Sequence, residues 1–218
     1  MDLKRAWKKL LMQQCRRPGG ILGEYIGRRM NRSHYELTSW GLAQVAIAPD
    51  ADILDIGCGG GRTLARLAEI APRGRICGID LSEKSVALSR RHNAKAVATG
   101  RMEIGQASVS ALPFADATFR LATAVETHYF WPDLATDLHE VRRVLRPGGW
   151  FLLLAEVYDT PKFDARNQEW LRLLPMAYLS PAGYRELFTQ AGFVDVAVRE
   201  QPDQGWLCCL GRKTDFVA

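Results

Sequence analysis

The stretch Asp52–Leu67, DILDIGCGGGRTLARL, places four glycines between a short apolar run and a run of helical periodicity. An ordinary turn needs one or two. A connection this bare lets a ligand approach the backbone, and the helix after it offers free N–H groups. Around it the chain alternates. Strand-like runs at Ile53–Ile56, Arg75–Leu81, Arg101–Ala107, Phe119–Glu126 and Trp150–Val157 are separated by helix-like runs over 62–70, from Ser82 towards Ala98, and over 134–145. Such alternation predicts a mostly parallel sheet with helices on both faces. Two final strands, FVDVAVRE and GWLCCLGRK, are joined by a Pro-Asp-Gln-Gly turn. They must pair antiparallel, because a parallel return needs a crossover of a dozen residues or more.

Local signals set the boundaries. Pro72 and Gly74 break the first helix, and Ser82 can cap the second. Pro147-Gly148-Gly149 stops the helix striped by Leu134, Leu138, Val141 and Leu145 and leads into the apolar strand at Trp150. Ser180-Pro181 opens a further helix that Gly192 closes. Residues 158–179 are an aromatic, proline-containing insertion, and residues 1–48 look helical and irregular. At 218 residues and 47% apolar content, the chain suits one compact domain with small additions. The expected division is an N-terminal helical arm or lid over 1–48 and a ligand-binding domain over 49–218.

Charge is concentrated in the arm. Residues 1–32 hold nine Lys or Arg against Asp2 and Glu24, a net of +7, whereas the remainder nets −2. Such an arm can attract nucleic acid, anionic lipid or an acidic partner. The plainer expectation is the solvated face of an amphipathic helix, with Leu3, Trp7, Leu10 and Leu11 at helical spacing. No apolar run approaches membrane-spanning length, and the start of the chain lacks the apolar middle of a signal peptide. Five cysteines fit neither a disulfide framework nor a zinc site. These features lead us to expect a cytoplasmic protein with buried, inert thiols and no membrane span.

The glycines follow D-x-G-x-G-x-G from Asp55 to Gly61, not the dinucleotide G-x-G-x-x-G, since position 62 is Arg. An acid in this loop would repel a pyrophosphate and suits a ligand with a cationic end. A second acid, Asp80, ends the second strand, where it can accept from ribose hydroxyls. Here the chain resembles the class I S-adenosylmethionine-dependent methyltransferases. ILDIGCGGGRTL resembles that family's glycine motif and GID its ribose-acid motif. ALPFADATFRLATAVETHYFW and EVRRVLRPGGWFLLLAE resemble its fourth- and fifth-strand regions, and the four occur in order across about 52–157.

The resemblance implies a Rossmann-like, doubly wound seven-stranded sheet, mostly parallel with the last strand antiparallel, plus the N-terminal lid. It implies S-adenosyl-L-methionine as cofactor. Asp55, Gly57, Cys58 and Gly59 would line its methionine end, Gly61 would let the loop close, and Asp80 would hold the ribose. Leu81, Gln106, Ala107 and Ser108 would surround the adenine, with Glu126 beneath the cofactor. The family commonly has Asp where this chain has Gln106, whose amide can both accept and donate.

Methyl transfer from a sulfonium mainly requires alignment and exclusion of water, so no catalytic dyad is demanded. A base is needed only for a protonated acceptor. His128, after the fourth strand, is the favoured base, and His34, Tyr35, Tyr129, Tyr158 and Tyr178 are expected against the substrate. His92 and His139 fall within helices and read as surface or structural. An aromatic lid of Tyr35, Trp40, Tyr129, Phe130, Trp131, Phe163, Trp170 and Tyr178 suits a small, partly apolar acceptor. No carboxylate cluster near an acceptor is visible, so no metal is expected, and the oligomeric state is not encoded legibly. Two other functions compete. One is an RNA or protein methyltransferase gripping its partner with the basic arm; against it, ETHYFW stands where a base-flipping NPPY-type motif would be. The other is a non-catalytic S-adenosylmethionine-binding protein.

Overall fold

The computed structural model describes residues 3–16, 19, 20, 23, 25, 26 and 33–214. Seven strands form one sheet: β1 (Ile53–Ile56), β2 (Ile76–Asp80), β3 (Met102–Gln106), β4 (Phe119–Val125), β5 (Leu145–Ala155), β6 (Phe193–Gln201) and β7 (Trp206–Lys213). Their order is β3-β2-β1-β4-β5-β7-β6. β1 pairs parallel with both β2 and β4, β2 with β3, and β4 with β5. β7 opposes both β5 and β6, so it alone is reversed. The expected fold is therefore observed.

The central strands explain their own composition. All four residues of β1 are buried, as are Phe151 to Ala155 of β5, because helices cover both faces. Leu54, Phe119, Phe151 and Leu153 belong to one apolar layer, and Ile53, Leu64, Leu152 and Leu154 to the other. The described helices are α1 (Leu3–Arg16), α2 (Tyr35–Leu42), α3 (Arg62–Ile70), α4 (Glu83–His92), α5 (Ala94–Ala98), α6 (Leu134–Val144), α7 (Asp164–Leu171) and α8 (Pro181–Gln190). Both expected caps are made: Ser85 N–H donates to Ser82 Oγ at 3.3 Å and Gly183 N–H to Ser180 Oγ at 3.1 Å.

Three departures have physical causes. The helix expected from Ser82 towards Ala98 breaks at Asn93, whose side-chain amide donates to the carbonyls of Gly61 at 2.9 Å and Ser89 at 3.0 Å. That side chain ties the glycine loop to α4. β5 begins at Leu145 and runs through Pro147-Gly148-Gly149, and the β4–β5 register shifts between Phe119 and Leu121 to accommodate them. In the arm, Trp7 is 56% and Leu10 39% exposed, so this part of the stripe faces solvent. Leu3, Cys15 and most of the arm's arginines have side chains outside the described residues. No helix among the described residues is long and apolar enough to cross a membrane.

β1 is joined through α3 to β2 on one side and pairs with β4 on the other. The connections diverge at the carboxyl ends of β1 and β4, where open α/β sheets bind ligands. Gly61 fixes this corner through helix packing. It has φ +82°, and an added Cβ would stand 2.4 Å from Ser89 Oγ and 2.6 Å from Asn93 Nδ2. Gly61→Ala should therefore lower unfolding free energy by about 2–4 kcal/mol, measured by urea denaturation. An unchanged midpoint would show that α4 yields without cost.

Candidate active site

The glycine loop is fastened to the end of β2. The N–H groups of Gly57 and Cys58 both donate to Ile79 O, at 2.8 and 2.9 Å. Gly59 N–H donates to Asp80 Oδ2 at 2.9 Å, and Ser82 N–H to Asp80 Oδ1 at 2.8 Å. Gly57 has φ +75°, and a Cβ there would strike Thr127 Oγ1 at 2.1 Å. Gly59, at φ +52°, opens onto free space: its added Cβ would find only Gly57 O, at 4.0 Å. The loop is thus packed behind Gly57 and bare at Gly59.

Beside it lies a cleft of about 420 Å³, within the range of small-molecule sites. Asp55, Gly57, Cys58, Gly59, Asp80, Leu81, Ala107 and Ser108 line one end. His34, Tyr35, Glu126, Phe130, Trp131 and Leu174 line the other. Leu81 is 54% exposed, an apolar face on the wall that protein only partly covers. An apolar platform beside a carboxylate and an open glycine backbone fits a nucleoside bearing a charged tail.

The electrostatics are set by burial. Asp55 is 2% exposed and accepts from Thr123 Oγ1 at 2.7 Å. Burial pushes its carboxyl up to about 7, against the pull of the Thr123 bond, and the Asp80 charge adds to the rise. Asp80 is also raised by burial, while its bonds from Ser82 and Gly59 hold it down.

At the far end Glu126 has φ +56°, a costly conformation for a residue with a side chain. Its Oε1 accepts from Tyr129 OH at 2.6 Å and from Glu156 N–H at 2.5 Å. Burial pushes Glu126 up to about 7. Glu156 is raised by burial and then by Glu126, and its Oε1 accepts from Trp206 Nε1 at 3.0 Å. His34 is lowered by burial. Ligand atoms of His34, Glu126 and Glu156 all lie within 4.8 Å of one another.

Several expected residues are placed elsewhere. His128 is fully buried off the cleft wall, and its Nε2 lies 2.6 Å from Tyr184 OH. Burial pushes it down to about 3. It is a core histidine, and the expected base role is corrected. Gly61 packs on α4 and does not line the cleft. Gln106 turns its amide to Leu81 O at 3.0 Å and also lies off the wall. Of the expected substrate contacts, His34 and Tyr35 line the cleft. Tyr129 and Tyr158 are buried in the core, and Tyr178 donates to Asp164 Oδ1 at 3.3 Å. Tyr129 meets the cleft only through Glu126.

The absence of a carboxylate set near the acceptor end is likewise corrected by Glu126 and Glu156. Their signal was legible: each acid directly follows one of two adjacent parallel strands, with Val125 beside Leu154. Thr127 and Arg62 also line the cleft, though no sequence motif singled them out.

Fold and cleft together define a doubly wound α/β protein with its main described cleft at the β1–β4 crevice, a shape suited to a nucleoside. Residues 53–149 match the family model described as a methyltransferase domain. The chain is 30% identical over 182 residues to the demethylmenaquinone methyltransferase of Symbiobacterium thermophilum, covering 71% of this chain and 72% of that one. It is 31% identical over 149 residues to the O-methyltransferase cnsE of Penicillium expansum, covering 68% of this chain but only 54% of that protein. The chain thus spans about half the length of that relative. The solved structure of a SAM-dependent methyltransferase from Aquifex aeolicus superposes with a TM-score of 0.69 at 18% identity, over 87% of this chain and 96% of that one, a likeness of fold. The chain belongs to the class I S-adenosylmethionine-dependent methyltransferases, and S-adenosylmethionine is the cofactor of that family.

The raised Asp55 makes a sign-specific prediction. Its folded-state value of about 7 exceeds the ordinary 3.8, so the folded chain holds an extra proton between those values. Stability from this group is full below about pH 4 and is lost as pH rises through 7. Asp55→Asn keeps an acceptor for Thr123 and removes the ionisation. At pH 8 the variant should melt several degrees above the parent, and near pH 4 the two should coincide. Melting curves across that range decide it; a parallel offset at every pH would refute the assignment.

Proposed function

We propose that this chain transfers a methyl group from S-adenosylmethionine to a small, partly apolar acceptor held under its N-terminal segment. The observation that carries the proposal is one continuous cleft with a bare glycine loop and Asp80 at one end and an aromatic wall at the other. The cofactor, when bound, supplies a methyl group already activated by its sulfonium charge. Asp80 accepts from the ribose hydroxyls with the lone pairs its backbone donors leave free, and Leu81 packs on the adenine beside Ala107 and Ser108. Asp55, Gly57, Cys58 and the open backbone at Gly59 receive the methionine end, with Glu126 beneath. Asp55 suits a cationic group there, because a nearby positive charge returns a raised carboxyl to its ionised form.

The remaining task is to align the acceptor and exclude water, which can be worth about 7–11 kcal/mol. Tyr35, Phe130, Trp131 and Leu174 form apolar walls for this. Residues 1–48 act as the lid. α2 and the residue before it bring His34, Tyr35 and Thr38 to the cleft, and α1 brings Gln13. The Tyr35 ring lies under the guanidinium of Arg62 at 4.3 Å and that of Arg66 at 4.9 Å, which fastens the lid to α3. The names of the relatives, one for oxygen methylation and one for demethylmenaquinone, support a small acceptor.

Calorimetric titration with S-adenosylhomocysteine tests the cofactor half. The parent should bind with micromolar affinity, and Asp80→Ala should weaken binding at least tenfold, by about 1.4 kcal/mol or more; no binding by the parent would overturn the proposal. Turnover of a small hydroxylated or quinol acceptor should change little between low and moderate salt. A steep loss with salt would instead indicate a polymer gripped by the basic arm.

A further inference from the structure

We infer that His34, Glu126 and Glu156 form a binding site for one divalent transition-metal cation at the acceptor end of the cleft. The three residues come from the turn before α2, the end of β4 and the end of β5, so only the fold brings them together. One imidazole nitrogen and two carboxylate oxygens lie within 4.8 Å of one another. Among the described residues, no hydrogen bond or ion pair joins His34 to either carboxylate. The donors converge on a space without closing it. A cation bonded at about 2.0–2.4 Å holds its donors roughly 3–4.8 Å apart, which is this spacing.

The surroundings orient the two carboxylates for such a role. Glu126 Oε1 is held by Tyr129 OH and Glu156 N–H, and Glu156 Oε1 by Trp206 Nε1. Each carboxylate therefore keeps its second oxygen for a ligand while the first is anchored, as ligating carboxylates commonly are. Arg166 acts on the pair only at a distance: its Nη2 donates to the Glu156 backbone O at 2.7 Å and its Nε to Asn167 Oδ1 at 3.0 Å, and no ion pair joins it to either carboxylate among the described residues. The Arg166 charge lowers both acids, but burial outweighs it and both stay raised, so the pair is expensive to keep ionised. A divalent cation supplies the missing charge.

The donor set selects the kind of cation. Imidazole with two carboxylates suits Mn²⁺, Fe²⁺ or Zn²⁺ better than the all-oxygen preference of Ca²⁺ or Mg²⁺. Three protein donors leave coordination positions open, and His34 and Glu126 both face the cleft. An acceptor hydroxyl can occupy one of them. Its oxygen then bonds the cation and its proton passes to solvent at lower pH than it would unaided. The site stands on donor geometry alone; its role beside an acceptor rests on the methyl-transfer reading.

The test titrates metal-free protein with Mn²⁺ alone, following the free-ion electron paramagnetic resonance signal and the heat of binding. One Mn²⁺ per chain is expected, displaced by Zn²⁺. His34→Ala and Glu156→Gln should each weaken binding about tenfold or more. S-adenosylhomocysteine titration of the same variants reports whether the cofactor half is intact; Glu156 and His34 lie outside it, so that affinity should hold. No bound Mn²⁺ or Zn²⁺ in the parent overturns the site, as does binding undiminished in both variants. Loss of S-adenosylhomocysteine binding in the parent would instead strike the methyl-transfer reading and leave the metal count standing.

Discussion

Everything at the cleft depends on the clasp between the glycine loop and the end of β2. The two amides on Ile79 O and the Gly59 amide on Asp80 Oδ2 hold a loop of positive-φ residues to a strand whose direction the sheet already dictates. Each bond is ordinary, worth about 0.5–1.5 kcal/mol net, and somewhat more where a carboxylate accepts. Their effect is geometric. They place the bare backbone of Gly59, the Asp80 carboxylate and the start of α3 on one rim. Asn93 completes the clasp from the opposite side by leaving its own helix to bond Gly61 O. Asp80 thus organises the loop with the same carboxylate that lines the cleft.

The cost of this arrangement falls on the acids. Asp55, Glu126 and Glu156 sit at the carboxyl ends of β1, β4 and β5, where the sheet delivers them to a recessed volume. Burial raises all three. Glu126 adds backbone strain, since φ +56° is a region that favours glycine. A chain selected only for stability would place amides or apolar groups here. Retaining three carboxylates against desolvation makes sense if positively charged groups arrive at both ends of the cleft. In the proposed function the cofactor's methionine end would supply one such charge at Asp55, and the inferred cation would supply the other at Glu126 and Glu156.

The legible part of the sequence was what local rules govern. The β1 and α3 boundaries, the caps at Ser82 and Ser180, and the antiparallel β7 follow from periodicity, cap chemistry and the length of one turn. The loop and Asp80 were legible because glycine spacing and an acid at a strand end are local patterns. What failed needed the third dimension. Gly61 belongs to the glycine motif, yet its neighbours are Ser89 and Asn93 on α4. His128 follows β4 just as Glu126 does, but the short 3₁₀ turn over His128–Phe130 rolls the imidazole into the core against Tyr184. Two residues of chain separate a cleft-facing acid from a core-facing base. Which side chain faces which way was decided by that turn, and no periodicity encodes it.

The arm is described best where it packs and least where it is charged. Its basic excess left open a grip on an anionic polymer, and most of the side chains that carry that charge lie outside the described residues. Gln13 lines the cleft, Lys8 pairs with Glu169 on α7, and Leu37 and Leu42 of α2 are buried in the layer that holds Leu154. Gly41 lies against that Leu154 so closely that an added Cβ would stand 2.3 Å from its methyl groups. The firm part of the cover is therefore α2, anchored by apolar burial on β5. On α1 the described ion pair, Lys8 with Glu169, is exposed, and an exposed ion pair fixes little. The end of the cleft opposite the glycine loop is bounded by a well-packed helix with His34 just before its start. The placement of His34 beside Glu126 and Glu156 inherits the precision of α2 packing and owes nothing to the arm's charge.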